Sequence, residues 1–337
     1  MSDDALLTKI ALSMENGVAC GGAPSARAFE EARRELEFTA RHGIRILCEG
    51  DPEYPYRLAQ ISGTPPLLYV LGQCDLNSLH PVSIVGTRKM TPYGADITSK
   101  LTRELAEYFP DLLVVSGLAY GVDSVAHSAA LQAGVRTVGV MAHGLHMIYP
   151  AQHRDLASRI ISAGGAIISQ YPSGTSPFRN NFLERNRIVA GMSDVTVVIE
   201  SEVKGGAMST ARHAFEADRE VFAIPGRVSD EISAGCNHLI SCQRARIYTT
   251  VANMIENVGW ELPATSSRPI QRSLFPELDG DGLKVYEYLR HCPDPQSPDI
   301  ISQLAGVPIS RLIGLMSELE FEGVVIRHPG NRYSATI

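Results

Sequence analysis

Val82-Ser83-Ile84-Val85-Gly86, running into Thr87 and Arg88, is a continuous apolar, β-branched stretch that ends in glycine. Such a stretch offers no polar face to water. It is read as a strand buried on both sides of a sheet, turning at Gly86 toward a helix. Outward from it the pattern repeats: LLVVS (112–116), RTVGVMA (136–142), AIIS (166–169), VTVVIE (195–200) and EVFAIPG (220–226) are further apolar runs. Between them lie stretches of helical period or length, at 91–108, 121–133, 151–163 and 205–217. Strands alternating with helices predict an α/β fold, a doubly wound and mostly parallel sheet with helices on both faces.

Upstream, ARAFEEARRELEFTARH (26–42) is one strongly helical run closed by Gly43, so residues 1–44 are expected to be a short helical region. The sheet domain is expected over 45–262. PATSSRPIQRSLFPELDGDG (263–282) is rich in proline, serine and glycine and reads as a linker. Residues 283–337 follow as three helical segments, LKVYEYLRH, PDIISQLAG and PISRLIGLMSELEFEG, and two short strands, VVIR and RYSA, around His328, Pro329, Gly330 and Asn331. That order is a winged-helix pattern.

With 337 residues the chain exceeds the usual single domain of roughly 100 to 200 residues. It has no run of membrane-spanning length, and its acidic N-terminus lacks the make-up of a signal peptide, so a cytoplasmic protein with no membrane partner is expected. Cysteines 20, 48, 74, 236, 242 and 292 lack CxxC spacing and are expected as free thiols. Cys236 and Cys242, with His238 between them, are read as buried thiols on a helix face rather than a metal site. A formal charge of −7 places any nucleic-acid site in a local basic groove.

Four segments carry candidate anion chemistry. Gly86-Thr87-Arg88 ends the first core strand, where glycine lets backbone N–H groups face a phosphate and Arg88 adds a charged fork. Ser116, Gly117 and Gly121 shape the next strand end, with Asp123 and His127 read equally as site residues or as a helix cap and a structural residue. Arg179, Arg185, Asn186 and Arg187 lie in a segment with Phe178 and Phe182. Arginines beside aromatic rings suit a single-strand groove, although helical spacing points the two phenylalanines at the core. Lys204, Gly205 and Gly206 form another glycine-rich turn into a helix. No GxGxxG follows the strand and no GxxxxGK[ST] occurs, so no nucleotide cofactor is expected.

SIVGTR, SGLAYGVDSVAH, HGLHMIYP, FRNNFLERNRIVAG, GGAMSTARHA, VFAIPG and GCNHLI occur in this order. The chain resembles the DNA-processing protein A (DprA, or Smf) family, densely over 45–250, and ELEFEGVVIRHPGNRY resembles that family's winged helix. The resemblance implies a Rossmann-like domain that binds single-stranded DNA without catalysis, self-associates as a homodimer, and loads the RecA recombinase during natural transformation. It implies Gly86, Thr87 and Arg88 as phosphate contacts. After Tyr149-Pro150 the family often carries a lysine where this chain has Ala151, so the basic group there is either Arg154 or absent. Gln170, Cys236 and Arg244 are further departures from the family pattern. Tyr149, Tyr171 and Phe178 are candidate base platforms.

The enzymatic alternative is a lysine-decarboxylase-like nucleotide phosphoribohydrolase, whose PGGxGTxxE loop supplies a catalytic carboxylate. Here Ala211, Arg212 and His213 stand where that glutamate is expected. The other alternative, a winged-helix transcriptional regulator, needs a basic third helix. This one offers Arg311 and then Glu318, Glu320 and Glu322, which suits a protein contact or a structural role.

Overall fold

The computed structural model describes residues 3–16, 24–261, 280–292, 294–321, 324–328 and 331–335. Cys20, residues 263–279 of the expected linker, Glu322, Pro329 and Gly330 lie outside the described residues. The chain divides into two compact units, Met1–Pro263 and Ala264–Ile337.

The first unit opens with two helices, α1 (Asp3–Asn16) and α2 (Ala26–His42), where the sequence pattern predicts one. Both ends of α2 follow from local chemistry. The Ser25 side chain accepts the Ala28 N–H at its start, and Gly43 closes it at φ 65°, the left-handed conformation. The additional helix packs Ile10 and Ala11 against Ala28 and Ala32 of α2 and against Cys48 and Leu67 of the sheet.

The remaining elements are β1 (Ile44–Cys48), α3 (Tyr56–Ala59), β2 (Leu67–Gly72), β3 (Pro81–Gly86), α4 (Pro92–Tyr108), β4 (Leu113–Ser116), α5 (Val122–Gln132), β5 (Arg136–Met141), α6 (Arg154–Ser162) and β6 (Ala166–Ser169). After them come α7 (Arg179–Gly191), β7 (Val195–Ile199), α8 (Gly206–Glu216), β8 (Glu220–Ala223), α9 (Ala234–Ser241), β9 (Arg246–Ile247) and α10 (Val251–Val258). The strands form one nine-stranded sheet in the order β1-β2-β6-β5-β4-β3-β7-β8-β9. From β6 to β9 all neighbours are parallel, while β1–β2 and β2–β6 are antiparallel.

Alternation along β3 shows why the sheet is covered twice. Val82 and Ile84 face a core shared with α4, α5 and α10, whereas Val85 faces the opposite core with α3, α7, α8 and α9. Successive connections run from β3 through β4 and β5 to β6 on one side, and the chain then returns to place β7 on the other side of β3. That reversal between β3 and β7 is a topological switch point, and ligands of open α/β sheets bind outside the carboxyl ends of the strands there.

The second unit contains α11 (Gly280–Arg290), α12 (Pro298–Ala305), α13 (Ile309–Phe321), β10 (Val325–His328) and β11 (Arg332–Ala335), the last two an antiparallel pair. The helix starts at Gly280, so the last three residues of the expected linker belong to it. Among the described residues no single helix is long and apolar enough to cross a membrane.

Candidate nucleic-acid interface

The carboxyl ends of β3, β4 and β7 surround a cavity of ≈ 680 Å³ together with α7 and the start of α8. At the end of β3, Gly86 is glycine because of packing. A Cβ there would overlap the Ile199 carbonyl oxygen and come within 2.6 Å of Val122. The turn's backbone is already engaged inside the protein: the Thr87 N–H donates to the Glu200 carbonyl (2.6 Å), the Thr87 carbonyl accepts from Val122 N–H (3.2 Å), and Lys89 N–H donates to Thr87 Oγ1 (3.1 Å). These bonds correct the expectation for the Thr87 and Lys89 N–H groups, which are taken up inside the protein and do not face an anion. What the turn presents outward is side chains, Arg88 and Lys89, both exposed.

At the end of β4, Ser116 and Gly121 support the cavity rather than line it. Ser116 is fully buried and donates to the Ile84 carbonyl (2.6 Å). Gly121, at φ 78°, comes so close to Thr87 and Arg88 that a Cβ would collide with their backbone. Gly117 does line the cavity, and its missing Cβ makes room for the Arg185 guanidinium. Asp123 accepts the Gly117 and Ala119 N–H groups (3.1 and 3.3 Å), a cap for the loop into α5. His127 is buried against Thr137 Oγ1 (2.6 Å).

The arginines of α7 part company. Arg185 is only 5% exposed and donates through Nη1 to the carbonyls of Gly117 (2.6 Å) and Val140 (2.5 Å), so it braces the cavity floor. Burial pushes its pKa down and that of nearby Asp123 up, and each charge opposes the other's shift. Asn186 lines the cavity and donates from Nδ2 to the Gly206 carbonyl (3.2 Å), joining α7 to α8. Arg187 faces away, beside Glu184 (3.2 Å) and Gly63. Arg179 is exposed at the first position of α7 and lines the cavity. Arg154 is exposed at the start of α6 but lies outside it.

The expected placing of both phenylalanines in the core is corrected by Phe178, which precedes α7 and is 65% exposed. Phe182 is half-buried, with the Arg88 guanidinium 5.5 Å above its ring and Tyr149 6.2 Å away, centre to centre. Tyr149 lines the cavity and is exposed, whereas half-buried Tyr171 does not line it. On the far wall Lys204 is exposed and Gly205 starts α8 with no side-chain cap. Gly206 has open space around it. Uncapped N–H groups at a helix start are ready donors to an anion. The expected pair of buried thiols is half realised, since Cys236 is buried and Cys242 exposed.

Arg88, Lys89, Arg179 and Lys204 line one cavity, and none forms an ion pair with a carboxylate among the described residues. Lys89 is missing from the candidates the sequence suggests, although its place directly after Arg88 is a usable signal. In the second unit, Arg311 of α13 pairs with Asp281 (3.1 Å), and Glu318 and Glu320 are exposed.

The family model for DNA recombination-mediator protein A matches residues 45–259. The chain belongs to this family. As a member of the DNA recombination-mediator protein A family it also matches the DprA winged helix domain, over residues 272–331. It is 34% identical over 314 residues to Protein Smf of Escherichia coli K12, covering 89% of this chain and 83% of that one. To the DNA processing protein DprA of Streptococcus pneumoniae it is 36% identical over 221 residues, 66% of this chain and 76% of that one. Among solved structures, DNA processing protein A of S. pneumoniae superposes with a TM-score of 0.61 at 30% identity, over 74% of this chain and 92% of that one. The Helicobacter pylori protein, whose structure addresses its single-stranded DNA binding mode, gives 0.57 at 31% identity, over 64% of this chain and 95% of that one.

Proposed function

We propose that this chain binds single-stranded DNA in the cavity at the β3/β7 switch point, protects an incoming strand during natural transformation, and hands it to the RecA recombinase. The observation that carries the reading is the convergence of Arg88, Lys89, Arg179 and Lys204, without carboxylate partners among the described residues, around one crevice of a chain whose formal charge is −7. Four cations that converge on one ligand edge, held apart from carboxylates, suit a polyanion. The rings of Tyr149 and Phe182 beside them offer faces for bases, and Arg88 over Phe182 ties the two kinds of contact together.

The Helicobacter pylori relative supports the choice of a single strand. Handover to RecA and self-association through the Rossmann-like unit rest on the family resemblance. The reading assigns the chain no chemical step. Asp123, one of the two carboxylates lining the crevice, is buried and held by backbone N–H groups, and Glu202 is the other.

Backbone contacts and ring faces predict a preference for single strands with little dependence on sequence. A duplex hides its base faces, which removes a stacking contribution of about 1 to 3 kcal/mol per base. Competition between a mixed-sequence single strand and the matching duplex, across a salt series, tests this. Single-strand affinity should fall steadily with salt, and the duplex should compete poorly. Equal competition, or indifference to salt, overturns the reading.

A further inference from the structure

We infer that Glu200 is a positioning residue, which holds the loop 87–91 so that Arg88 and Lys89 reach a bound strand. The inference rests on the single-strand reading of the crevice. Glu200 follows β7 directly, is 2% exposed, and has φ 49°, a left-handed conformation that a glutamate adopts only against steric resistance. Strain of this kind persists where surrounding contacts fix it, and the contacts here are specific. The Glu200 carbonyl accepts the Thr87 N–H (2.6 Å) at one end of the loop. Its carboxylate accepts the Thr91 N–H (2.8 Å) and, very closely, the Thr91 hydroxyl at the other end.

One buried residue therefore fastens both ends of the segment whose middle carries two unpaired cations. Room for the carboxylate exists because residue 94 is glycine: a Cβ there would overlap Glu200 Oε2 and lie 2.7 Å from its Cδ. Thr91 in turn caps α4 by accepting the Gly94 N–H (3.2 Å), so the fastening extends into a seventeen-residue helix. On its other side Glu200 leads into Ser201, whose carbonyl accepts the Gly235 N–H (2.7 Å), and into Lys204 and the start of α8. The residue thus sets the spacing between the two cationic walls across the switch point. A carboxylate so near a phosphate site is otherwise a repulsive charge, and this opposition makes the role testable.

The test compares the full chain with Glu200→Gln, Arg88→Ala/Lys89→Ala and the triple variant, measuring single-strand affinity across a salt series. If Glu200 positions the loop, Glu200→Gln lowers affinity about ten-fold by misplacing charge-assisted bonds to phosphate. Its salt slope should become shallower by about 0.7 for each phosphate that is no longer held. In the background lacking both cations the same change should cost less than about two-fold, because the loop that Glu200 fastens then carries no cation to position. A role confined to stability would not alter the salt slope. Should Glu200→Gln fail to fold, Gly94→Ala displaces the same carboxylate without removing its charge and is expected to give the same shallower slope. Affinity that rises in Glu200→Gln, or an equal loss in both backgrounds, overturns the inference. If instead Arg88→Ala/Lys89→Ala binds as well as the natural chain, the reading of the crevice itself fails.

Discussion

Arg88 is exposed on a turn anchored by the Thr87 and Lys89 N–H groups, and its side chain forms no ion pair among the described residues, so its removal should leave the fold alone. Arg88→Ala is expected to weaken single-strand binding by about 1 to 3 kcal/mol, the size of a charge-assisted contact, with an unchanged melting temperature. Anisotropy of a labelled oligonucleotide and a thermal melt read the two quantities separately. His127 is the opposite case, a titratable group enclosed by protein. Burial pushes its pKa from the ordinary 6.5 to about 3. The unfolded chain takes up this proton near pH 6.5 and the folded chain refuses it until about pH 3. The unfolded state therefore binds more protons across that window, and stability falls as pH drops through it. His127→Gln should remove about 2 kcal/mol of the loss between pH 6.5 and about pH 5, measured by urea unfolding at both values. Individual side chains are the least legible part of the sequence. Arg179, Arg185 and Arg187 sit within nine positions of one another, yet one lines the cavity rim, one braces its floor and one faces away. Their identical chemistry cannot distinguish these roles, because packing of α7 against its neighbours decides them.

Whole elements are far more readable, and the reason is burial. The runs beginning at Val82, Leu112, Arg136, Ala166, Val195 and Glu220 form β3 to β8 because two-sided burial leaves an unbroken apolar signature. The edge strands β1 and β9 lack that signal, whereas β2, LLYVLG, carries an unbroken apolar run but lies upstream of the alternating pattern. Arg45 interrupts β1, while β9 is two exposed residues on the sheet edge. Helix α1 is hard to foresee because its apolar residues are gathered on one face far less clearly than those of α2. Glycine-rich turns fall at the expected strand ends, but their glycines serve different purposes. Gly86→Ala drives a methyl into the Ile199 carbonyl and should cost about 1 to 3 kcal/mol, whereas Gly206→Ala meets open space and should stay within about 0.5 kcal/mol. Denaturant unfolding of the pair checks the contrast; equal losses would contradict the tight packing at the end of β3.

At the scale of the molecule, the two compact units carry different surfaces. The crevice belongs wholly to the first, while α13 of the second pairs its arginine with Asp281 and exposes Glu318 and Glu320. Deleting residues 264–337 should therefore leave single-strand affinity within a few-fold. A loss of ten-fold or more, about 1.4 kcal/mol, would assign the winged helix a direct part in binding. The order of domains is legible because each has its own periodicity, alternating strands and helices in one and three helices with a hairpin in the other. The position of the crevice follows less directly, since it depends on which strand returns beside β3. One consequence of that placement is kinetic. Cations gathered at one sheet edge of a chain with formal charge −7 make that edge locally positive. A strand that comes within about 10 Å of that edge, the reach of a charge at ordinary salt, should be drawn into the crevice even though the two net charges repel.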